Sequence, residues 1–204
     1  MPSAARRVYF GDFVFLVDEN VYEPAEDTFL FVENLAVKAG ERVLDMGAGC
    51  GVFGIIAAKR AENVISVDVN PYAIRCAKKN ATLNNVCGKM AFVQGDLFTC
   101  LSENAMFDLI LFNAPYLPVE EGEADSWLGR AWAGGVTGRQ VIDRFISEVA
   151  GHLTPSGRVL LMQSTLADVG ETVRRLKKCR LSAGVVAERA LPFFETVVLI
   201  EAKI

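Results

Sequence analysis

The sequence contains a single histidine, His152, and no run of about 18 apolar residues, although 51% of its 204 residues are hydrophobic. The lack of such a run disfavours a membrane-spanning helix. His152 falls late in a predicted amphipathic helix, so we expect it at the surface or at the helix end. A mechanism that needs a histidine general base is therefore disfavoured.

Paired cysteines and a strong positive charge are also missing. The five cysteines are odd in number and include no C-x-x-C pair, which predicts reduced thiols, no metal site and a cytoplasmic protein. Residues 1–7 are not followed by the apolar segment of a signal peptide. A net charge of −4 disfavours direct binding of nucleic acid. The length predicts one domain that covers residues 1–204.

Residues 42–58 contain the most informative pattern in the sequence. It begins with an apolar run that holds Asp45, passes through Gly47, Gly49 and Gly51, and continues into small and branched apolar residues. This pattern predicts a buried strand, a tight turn and a helix, which together form the first half of a βαβ unit. The glycines let the backbone turn sharply and let a ligand approach it closely.

Turns of this kind bind two kinds of nucleotide cofactor. Residues 49–54 satisfy G-x-G-x-x-G, the dinucleotide fingerprint, in which a pyrophosphate lies on the start of the helix. A carboxylate at Asp45 would repel that pyrophosphate but suits a ligand with an ammonium and a sulfonium group. Asp68, at the end of the next predicted strand, can accept hydrogen bonds from ribose hydroxyls in either case. The pattern D-x-G-x-G-x-G resembles motif I of the class I S-adenosylmethionine-dependent methyltransferases.

The rest of the chain alternates between strand and helix patterns, which predicts an α/β fold with a mostly parallel sheet. The resemblance to class I methyltransferases implies a seven-stranded, doubly wound sheet with a small N-terminal hairpin. The predicted elements are a hairpin at 8–18, strands at 64–68, 90–96, 107–112 and 157–162, helices at 29–37, 70–80, 138–153 and 165–178, and a closing antiparallel pair at 182–190 and 194–204.

A polar segment, Asn113-Ala114-Pro115-Tyr116, follows the predicted strand 107–112. Pro115 favours an extended Ala114, which aims a peptide carbonyl outward. The side-chain oxygen of Asn113 and the carbonyl of Ala114 can accept both hydrogens of a planar NH₂ group, and Tyr116 can stack on that group. The segment resembles the N-P-P-Y motif of amino-methyltransferases and departs from it at Ala114, where proline is usual.

Six features of the sequence point together to one family. They are P-A-E-D-T at 24–28, the glycine motif, the ribose acid Asp68, G-D-L at 95–97, N-A-P-Y-L-P at 113–118 and W-A-G-G-x-x-G-R-x-V-I-D-R-F at 132–145. Together they resemble the HemK-like release-factor glutamine methyltransferases, in the short archaeal and eukaryotic branch. The last string lies partly in a glycine-rich segment, 117–137, whose length is typical of functional or disordered loops.

The resemblance implies S-adenosylmethionine as the cofactor and assigns site residues. Thr28 would contact its methionine end, Asp68 its ribose and Asp96 its adenine amine. Taken without the family, P-A-E-D-T also fits a well-capped helix start, and Asp96 also fits an ordinary turn. Asn113 and Tyr116 would be catalytic, and residues 113–116 would bind the substrate. The implied cofactor-binding residues are Thr28, Asp45, Gly47, Gly49, Asp68, Asp96, Leu97 and Asn113.

The implied reaction is methylation of the glutamine side-chain amide in the Gly-Gly-Gln motif of a class 1 peptide chain release factor. Two alternatives stay open at this point. The first is an adenine-N6 methyltransferase acting on DNA or RNA, because adenine presents the same planar NH₂ group. The second is a nicotinamide-dinucleotide-binding protein, which depends on residues 49–54 alone.

The resemblance also implies a partner, a small zinc-binding activator subunit that extends the sheet at strand 90–94. That strand is predicted to lie at an edge, is apolar, and lacks the charges or proline that usually protect an edge. The mean hydropathy of +0.27 also suggests that some apolar surface is covered. A heterodimer is therefore expected. In the alternative, the N-terminal hairpin or a loop covers this edge and the chain is a monomer.

Overall fold

The computed structural model describes residues 6–120, 124–192 and 195–204. The chain begins with a two-stranded antiparallel hairpin, β1 (Arg6–Phe10) and β2 (Phe13–Val17). Its turn contains Gly11 at a φ of +55°, which is why a two-residue connection suffices. The predicted hairpin at 8–18 is confirmed.

The main sheet has seven strands in the order β5-β4-β3-β6-β7-β9-β8. All its pairs are parallel except those of β9, which is antiparallel to both of its neighbours. The predicted mostly parallel, seven-stranded sheet is confirmed. Its strands are β3 (Arg42–Met46), β4 (Asn63–Asp68), β5 (Met90–Gln94), β6 (Phe107–Asn113), β7 (Leu153–Ser164), β8 (Ser182–Ala190) and β9 (Thr196–Lys203).

Helices cover both faces of this sheet, so it is doubly wound. One buried apolar cluster lies between the sheet and the N-terminal elements, which include the hairpin, and a second cluster packs on the opposite face under the later helices. The two clusters follow from central strands that are apolar on both faces. The helices are α1 (Glu26–Glu33), α2 (Val52–Ala57), α3 (Pro71–Leu83), α4 (Trp127–Arg130), α5 (Gln140–Val149) and α6 (Val169–Lys178).

The strand order reverses next to β3, which pairs with β4 on one side and β6 on the other. In open α/β sheets a crevice forms at the carboxyl ends of the strands at such a switch point. The ends of β3, β4 and β6 carry the glycine turn, Asp68 and Asn113. The topology therefore brings the three principal sequence motifs to one place.

Some helix ends differ from the predicted ones. Helix α1 ends at Glu33 rather than Val37, because the Asn34 side chain donates to the Leu30 carbonyl and its N–H bonds to Phe31. Helix α5 begins at Gln140 rather than at Gly138, whose φ of +70° is incompatible with a helix. The predicted start of the last strand, residue 194, lies outside the described residues.

The expectation that His152 lies at the surface is wrong. It does follow helix α5, but its side chain is buried against Phe98, with ring centroids 4.6 Å apart and planes nearly parallel. Its Nδ1 lies 2.8 Å from the carbonyl oxygen of Ala105. The ring packs as an aromatic core residue, on the opposite sheet face from the hairpin.

The hairpin packs on α3 rather than on the sheet edge. Asn80 of α3 and Asn84, which follows its last residue, accept hydrogen bonds from the backbone N–H groups of Leu16 and Val14 at 2.9 and 3.1 Å. The side-chain amides of both asparagines donate back to the same strand. Within the part of the chain that the structure describes, β5 pairs only with β4. The hairpin therefore leaves the outer edge of β5 without a paired strand.

None of the helices in the described ranges is long and apolar enough to cross a membrane.

Candidate functional site

A cavity of about 830 Å³ opens at the carboxyl ends of β3, β4 and β6. Its lining comes from the start of α1, the glycine turn after β3, the ends of β4 and β6, the turn after β5, and a segment that includes α4. This is the position in which open α/β sheets bind ligands. Its volume lies in the range of about 300–1,000 Å³ that is usual for small-molecule and cofactor sites.

The glycine turn forms the floor of the cavity. Gly47, Gly49 and Gly51 all have positive φ values, which other residues adopt only with strain. A Cβ on Gly54, in the first turn of α2, would lie 2.7 Å from Asp45 Oδ2, so the helix approaches the strand closely. Gly47 and Gly49 line the cavity, as predicted for residues that bind a ligand through their backbone.

Asp45 lies beneath this turn, fully buried, and does not belong to the cavity lining. Its Oδ2 accepts hydrogen bonds from Gly54 N at 3.0 Å and from Ser66 Oγ at 3.4 Å. Burial raises the pKa of the Asp45 carboxyl to about 7, against the opposing effect of the Gly54 hydrogen bond. Its visible contact is with the start of α2, so direct contact with a cofactor stays a prediction.

Asp68 ends β4 at the cavity wall. Its Oδ2 accepts from Gly49 N and its Oδ1 from Asn70 N, both at 2.8 Å, so the carboxylate joins the glycine turn to the start of α3. Burial raises the pKa of Asp68, and these two bonds oppose the rise. Each carboxylate oxygen has further lone pairs that can accept hydrogen bonds from a ligand's hydroxyls.

Asp96 and Leu97 lie in the turn after β5 and both line the cavity. Asp96 is exposed, and its Oδ2 accepts from Arg144 Nη2 at 2.7 Å. The predicted adenine acceptor therefore already has one cationic partner. Leu97 is buried at an unusual φ of +49°, which bends the backbone into the cavity wall.

Asn113 is the last residue of β6, and in the described part of the chain only the nitrogen of its side-chain amide has a hydrogen-bond partner. Its Nδ2 donates to Asp27 Oδ2 at 2.8 Å, whereas its Oδ1 is buried and has no hydrogen-bond partner among the described residues. Ala114 is buried, and its N–H reaches the Met162 carbonyl at 3.4 Å. Asn113, Ala114, Pro115 and Tyr116 all line the cavity, so the structure brings the predicted substrate-binding residues together.

Asp27 is the site residue that the sequence did not single out. It is 4% exposed and lies at the start of α1, where it joins two parts of the site. Its Oδ1 accepts from Thr28 N at 2.6 Å and from the hydroxyls of Thr28 and Tyr22, and its Oδ2 from Tyr116 as well as Asn113. The signal in the sequence was its place in P-A-E-D-T, but an acid at a helix start is usually explained by the helix dipole.

Thr28, Tyr22 and Tyr116 complete this wall of the cavity. The pKa values of both tyrosines are raised far above the ordinary value, by burial first and then by the charge of Asp27. Both phenols therefore keep their protons and act as donors to Asp27. The Thr28 hydroxyl donates to Asp27 in the same cluster, and contact of Thr28 with the methionine end of a cofactor stays a prediction.

Segment 124–133 forms the remaining wall. It contains α4, which Ser126 caps by accepting from Gly129 N at 2.9 Å. Leu117 bonds through its N–H to Trp132 O, and its carbonyl accepts from Gly134 N, so the segment is tied to the chain that leaves β6. Trp127, Arg130 and Trp132 line the cavity. A functional role of segment 117–137 stays a prediction, and residues 121–123 of it lie outside the described ranges.

The donor set of the site is made of hydroxyls, amides and carboxylates. In the described ranges, no group of three or more His, Cys, Asp or Glu side chains is arranged to hold a metal ion. The five cysteines are free, and Cys50, which lines the cavity, has a pKa raised by burial. The site can therefore bind and orient a polar group, and it offers no thiolate nucleophile.

Comparison with known proteins gives the family. Residues 21–128 match the profile described as the methyltransferase small domain. A Methanocaldococcus jannaschii protein provisionally named a protein N5-glutamine methyltransferase is 42% identical over 181 residues, 88% of this chain and 90% of that protein. The human methyltransferase HEMK2 is 36% identical over 155 residues, 70% of this chain and 71% of that protein.

Solved structures that match this chain agree with the family match. The E. cuniculi Mtq2–Trm112 complex, responsible for methylation of the translation termination factor eRF1, matches with a TM-score of 0.68 and 28% identity over 90% of this chain and 98% of that chain. Methanocaldococcus jannaschii Trm5 bound to adenosine shares the fold, with a TM-score of 0.71 at 19% identity over 98% of this chain and 56% of its own. The chain therefore belongs to the methyltransferase small domain family, among the S-adenosylmethionine-dependent protein N5-glutamine methyltransferases.

Proposed function

We propose that this protein methylates the side-chain amide of the glutamine in the Gly-Gly-Gln motif of a class 1 release factor. Two of the proteins named above support this substrate class: the relative named as a protein N5-glutamine methyltransferase and the Mtq2–Trm112 complex, which methylates eRF1. The observation that carries the proposal is the unpartnered, buried oxygen of Asn113, held in the cavity wall by the bond from its own Nδ2 to Asp27. An acceptor in this state suits an N–H donor that enters from the cavity.

The residues present fit the cofactor. The backbone of Gly47 and Gly49 lies open to the cavity, and the Asp68 carboxylate at the end of β4 can accept from ribose hydroxyls. Leu97 and Asp96 would flank the adenine, and Thr28 the methionine end. S-adenosylmethionine, when bound there, supplies an electrophilic methyl group on a sulfonium.

The chain's own contribution is to orient a poor nucleophile. An amide nitrogen is a weak nucleophile because its lone pair is delocalised. If Asn113 Oδ1 and the Ala114 carbonyl hold both N–H hydrogens, the lone pair of the nitrogen would be directed toward the methyl group that a bound cofactor would supply. Such positioning can supply about 7 kcal/mol or more of the barrier. A bound cofactor would supply the methyl group to this nitrogen, and the nitrogen would give up one N–H proton to solvent.

Tyr116 would form the flat wall beside that amide. Its hydroxyl donates to Asp27 at 3.2 Å, which fixes the phenol, and its high pKa excludes it as a general base. His152 is buried on Phe98 and is absent from the cavity lining. Before methyl transfer, the site can therefore contribute by positioning the substrate amide with Asn113, Ala114 and Tyr116.

Adenine is the second candidate substrate, because its exocyclic amine offers the same two hydrogens to Asn113 and Ala114. The net charge of −4 disfavours it, since binding to nucleic acid depends on cationic surface. The nicotinamide alternative is not retained, because it depended on residues 49–54 and the chain belongs to a methyltransferase family.

Asn113→Ala tests the proposal. We expect the variant to lose methyl transfer while its affinity for S-adenosylmethionine stays within about threefold of the unaltered protein. Transfer is followed with labelled cofactor and mass spectrometry of a release factor, and binding by calorimetry. Asn104→Ala, at an exposed turn outside the cavity lining, is the matched control and should retain full activity. Full turnover in Asn113→Ala would refute the amide clamp, and methylation of DNA instead of the release factor would favour adenine.

We also propose that this chain assembles with a small partner subunit, which binds zinc and docks on β5. The Mtq2–Trm112 complex supports a partner subunit. The outer edge of β5 has no paired strand among the described residues, and its side chains are only half-buried or exposed. An open edge strand is a ready site for strand addition. A cytoplasmic location would follow from a substrate that acts in translation termination.

A further inference from the structure

We propose that Asp27 is a positioning residue, which fixes the side-chain amide of Asn113 with its oxygen toward the substrate nitrogen. This inference depends on the proposed function for its substrate. It concerns a residue that touches Asn113 rather than the reacting atoms.

An asparagine amide has two chemically different ends of nearly the same shape. With Oδ1 toward the cavity, Asn113 accepts an N–H of the substrate. With Nδ2 toward the cavity, Asn113 would place its own N–H donors against those of the substrate NH₂ group. The two groups could not form a hydrogen bond, and the substrate would not be held. Rotation by 180° about the terminal side-chain bond therefore separates a competent site from an incompetent one.

Asp27 favours the state with Asn113 Nδ2 toward Asp27, because a carboxylate only accepts hydrogen bonds. Its Oδ2 lies 2.8 Å from Asn113 Nδ2. In the reversed state two oxygens would face each other at that distance, one of them on a carboxylate that is 4% exposed. The reversed state would also leave the Asn113 Nδ2 hydrogens without this charge-assisted bond.

The neighbours of Asp27 keep it in place. Tyr22, Thr28 and Tyr116 all donate to it, and both tyrosines stay protonated. The backbone N–H of Thr28 is the most constraining donor, since it lies 2.6 Å from Oδ1 and cannot rotate. Oδ1 of Asp27 is therefore bonded to Thr28 and Tyr22, and Oδ2 is bonded to Asn113 and Tyr116.

Replacing Asp27 by asparagine should reverse Asn113. The oxygen of the new side chain must face Thr28 N, which leaves the new NH₂ group directed at Asn113. Asn113 then turns its oxygen inward to accept, and its own NH₂ faces the substrate. The cavity keeps its shape, but the polarity of its key group is inverted.

The main experiment uses three variants: Asp27→Asn, Asn113→Asp, and the two combined. We expect Asp27→Asn to lower kcat by about 100-fold, with the KM for cofactor changed by less than about threefold. Asn113→Asp should fail as well, because two carboxylates then meet. In the double variant the new amide at position 27 donates to the new carboxylate at position 113, whose other oxygen faces the substrate. We therefore expect kcat to recover at least about tenfold over either single variant.

Glu41→Gln is the matched control for loss of a buried carboxylate. Glu41 is 8% exposed, accepts bonds from Arg158 and from Lys38 N, and lies outside the cavity lining. We expect it to lower Tm as Asp27→Asn does, with kcat unchanged. If Asp27→Asn keeps kcat within about threefold, or the double variant is no more active than the poorer single variant, the inference is wrong.

A measurement without turnover separates this inference from the proposed function. The side-chain amide signal of Asn113 is assigned by its loss in Asn113→Ala, and its hydrogen exchange is compared in the unaltered protein and in Asp27→Asn. We expect faster exchange in the variant, because the NH₂ group then faces the cavity. Equal exchange rates overturn the inference. A protein that methylates no release factor yet shows this difference contradicts the proposed function alone.

Discussion

Asp68 is the side chain for which a single substitution should separate cofactor binding from folding. We expect Asp68→Ala to weaken S-adenosylmethionine binding by roughly 1.5–3 kcal/mol, because a charge-assisted pair of hydrogen bonds to the ribose is lost. The substitution also frees Gly49 N and Asn70 N. Calorimetric titration gives the affinity, and far-ultraviolet circular dichroism reports on the fold.

Asp108→Ala is the control for this measurement. Asp108 is likewise a carboxylate on a central strand that accepts a backbone N–H, from Arg42 at 2.9 Å, but it lies at the opposite end of β6. Its removal should leave cofactor affinity unchanged. Unaltered affinity in Asp68→Ala would mean that the ribose does not lie at the end of β4.

Asp45 should make stability depend on pH. Burial raises its pKa from 3.8 to about 7, so the folded protein holds this proton more tightly than the unfolded chain. Its contribution is fully present below about pH 4, declines as pH rises, and is lost above about pH 7. At 1.36 kcal/mol for each pKa unit, the loss is about 4 kcal/mol.

Urea unfolding of the unaltered protein and of Asp45→Asn at pH 5, 6, 7 and 8 measures this effect. The difference in unfolding free energy between the two should shift in favour of Asp45→Asn as the pH rises, because asparagine has no proton to lose and still accepts from Gly54 N. Parallel pH profiles would show that Asp45 titrates near its ordinary pKa.

Side-chain chemistry explains which site residues the sequence could predict. Glycines in a turn and an asparagine at the end of an apolar strand have few structural explanations, so they could be identified from the pattern. Asp27 could not, because the same residue at a helix start is already explained by the helix dipole. The burial of His152 depends on Phe98, more than 50 positions away, and local periodicity carries no such information.

At the scale of elements, the turn before α5 is held tightly against the chain that leaves β6. Gly138 has a φ of +70°, and a Cβ there would lie 2.4 Å from the Tyr116 carbonyl oxygen. We expect Gly138→Ala to cost about 1–3 kcal/mol of stability through backbone strain and to displace Tyr116, with a loss of activity. Thermal unfolding and methyl transfer to the release factor measure the two effects.

Gly151→Ala is the matched control, because a Cβ at Gly151 meets nothing within 4 Å and its φ is not positive. We expect its stability and activity to stay close to those of the unaltered protein. If Gly138→Ala were as active and as stable as this control, the turn would not position Tyr116.

The existence of most elements was predictable from periodicity, and their ends were not. Helix α1 stops where the Asn34 side chain competes for the Leu30 carbonyl, and α5 starts only after the positive φ of Gly138. The short helix α4 was not predicted, because a single capped turn at Ser126 has too few residues to show a period. These ends depend on single side-chain bonds and on local backbone angles.

At the scale of the whole molecule, strand order follows from contacts between distant segments. Apolar runs and crossover helices predict a parallel sheet, but they do not say which strands are neighbours. The order β5-β4-β3-β6-β7-β9-β8 was not predicted; only the edge position of the strand at 90–94 was, and that prediction depended on the resemblance to a family. The same order leaves β5 and β8 as the two edge strands of the sheet in the described residues.

The same substitution made on each edge strand tests whether the partner docks on β5 or on β8. Ala91 on β5 and Val186 on β8 are both exposed. With a partner of the Trm112 kind docked on β5, Ala91→Arg should abolish the complex, because the new side chain would have to be desolvated at the interface. Val186→Arg, the same change on the opposite edge, should leave the complex intact.

Each variant is expressed with the partner and the complexes are compared by size-exclusion chromatography and by methyl transfer to the release factor. We expect Ala91→Arg to lose methyl transfer together with the complex and Val186→Arg to retain both. The reason is that a subunit that covers an apolar edge keeps the catalytic chain in solution. Loss of the complex in Val186→Arg rather than in Ala91→Arg would place the partner on β8. An unaltered chain that is fully active alone and shows no affinity for the partner would rule the heterodimer out.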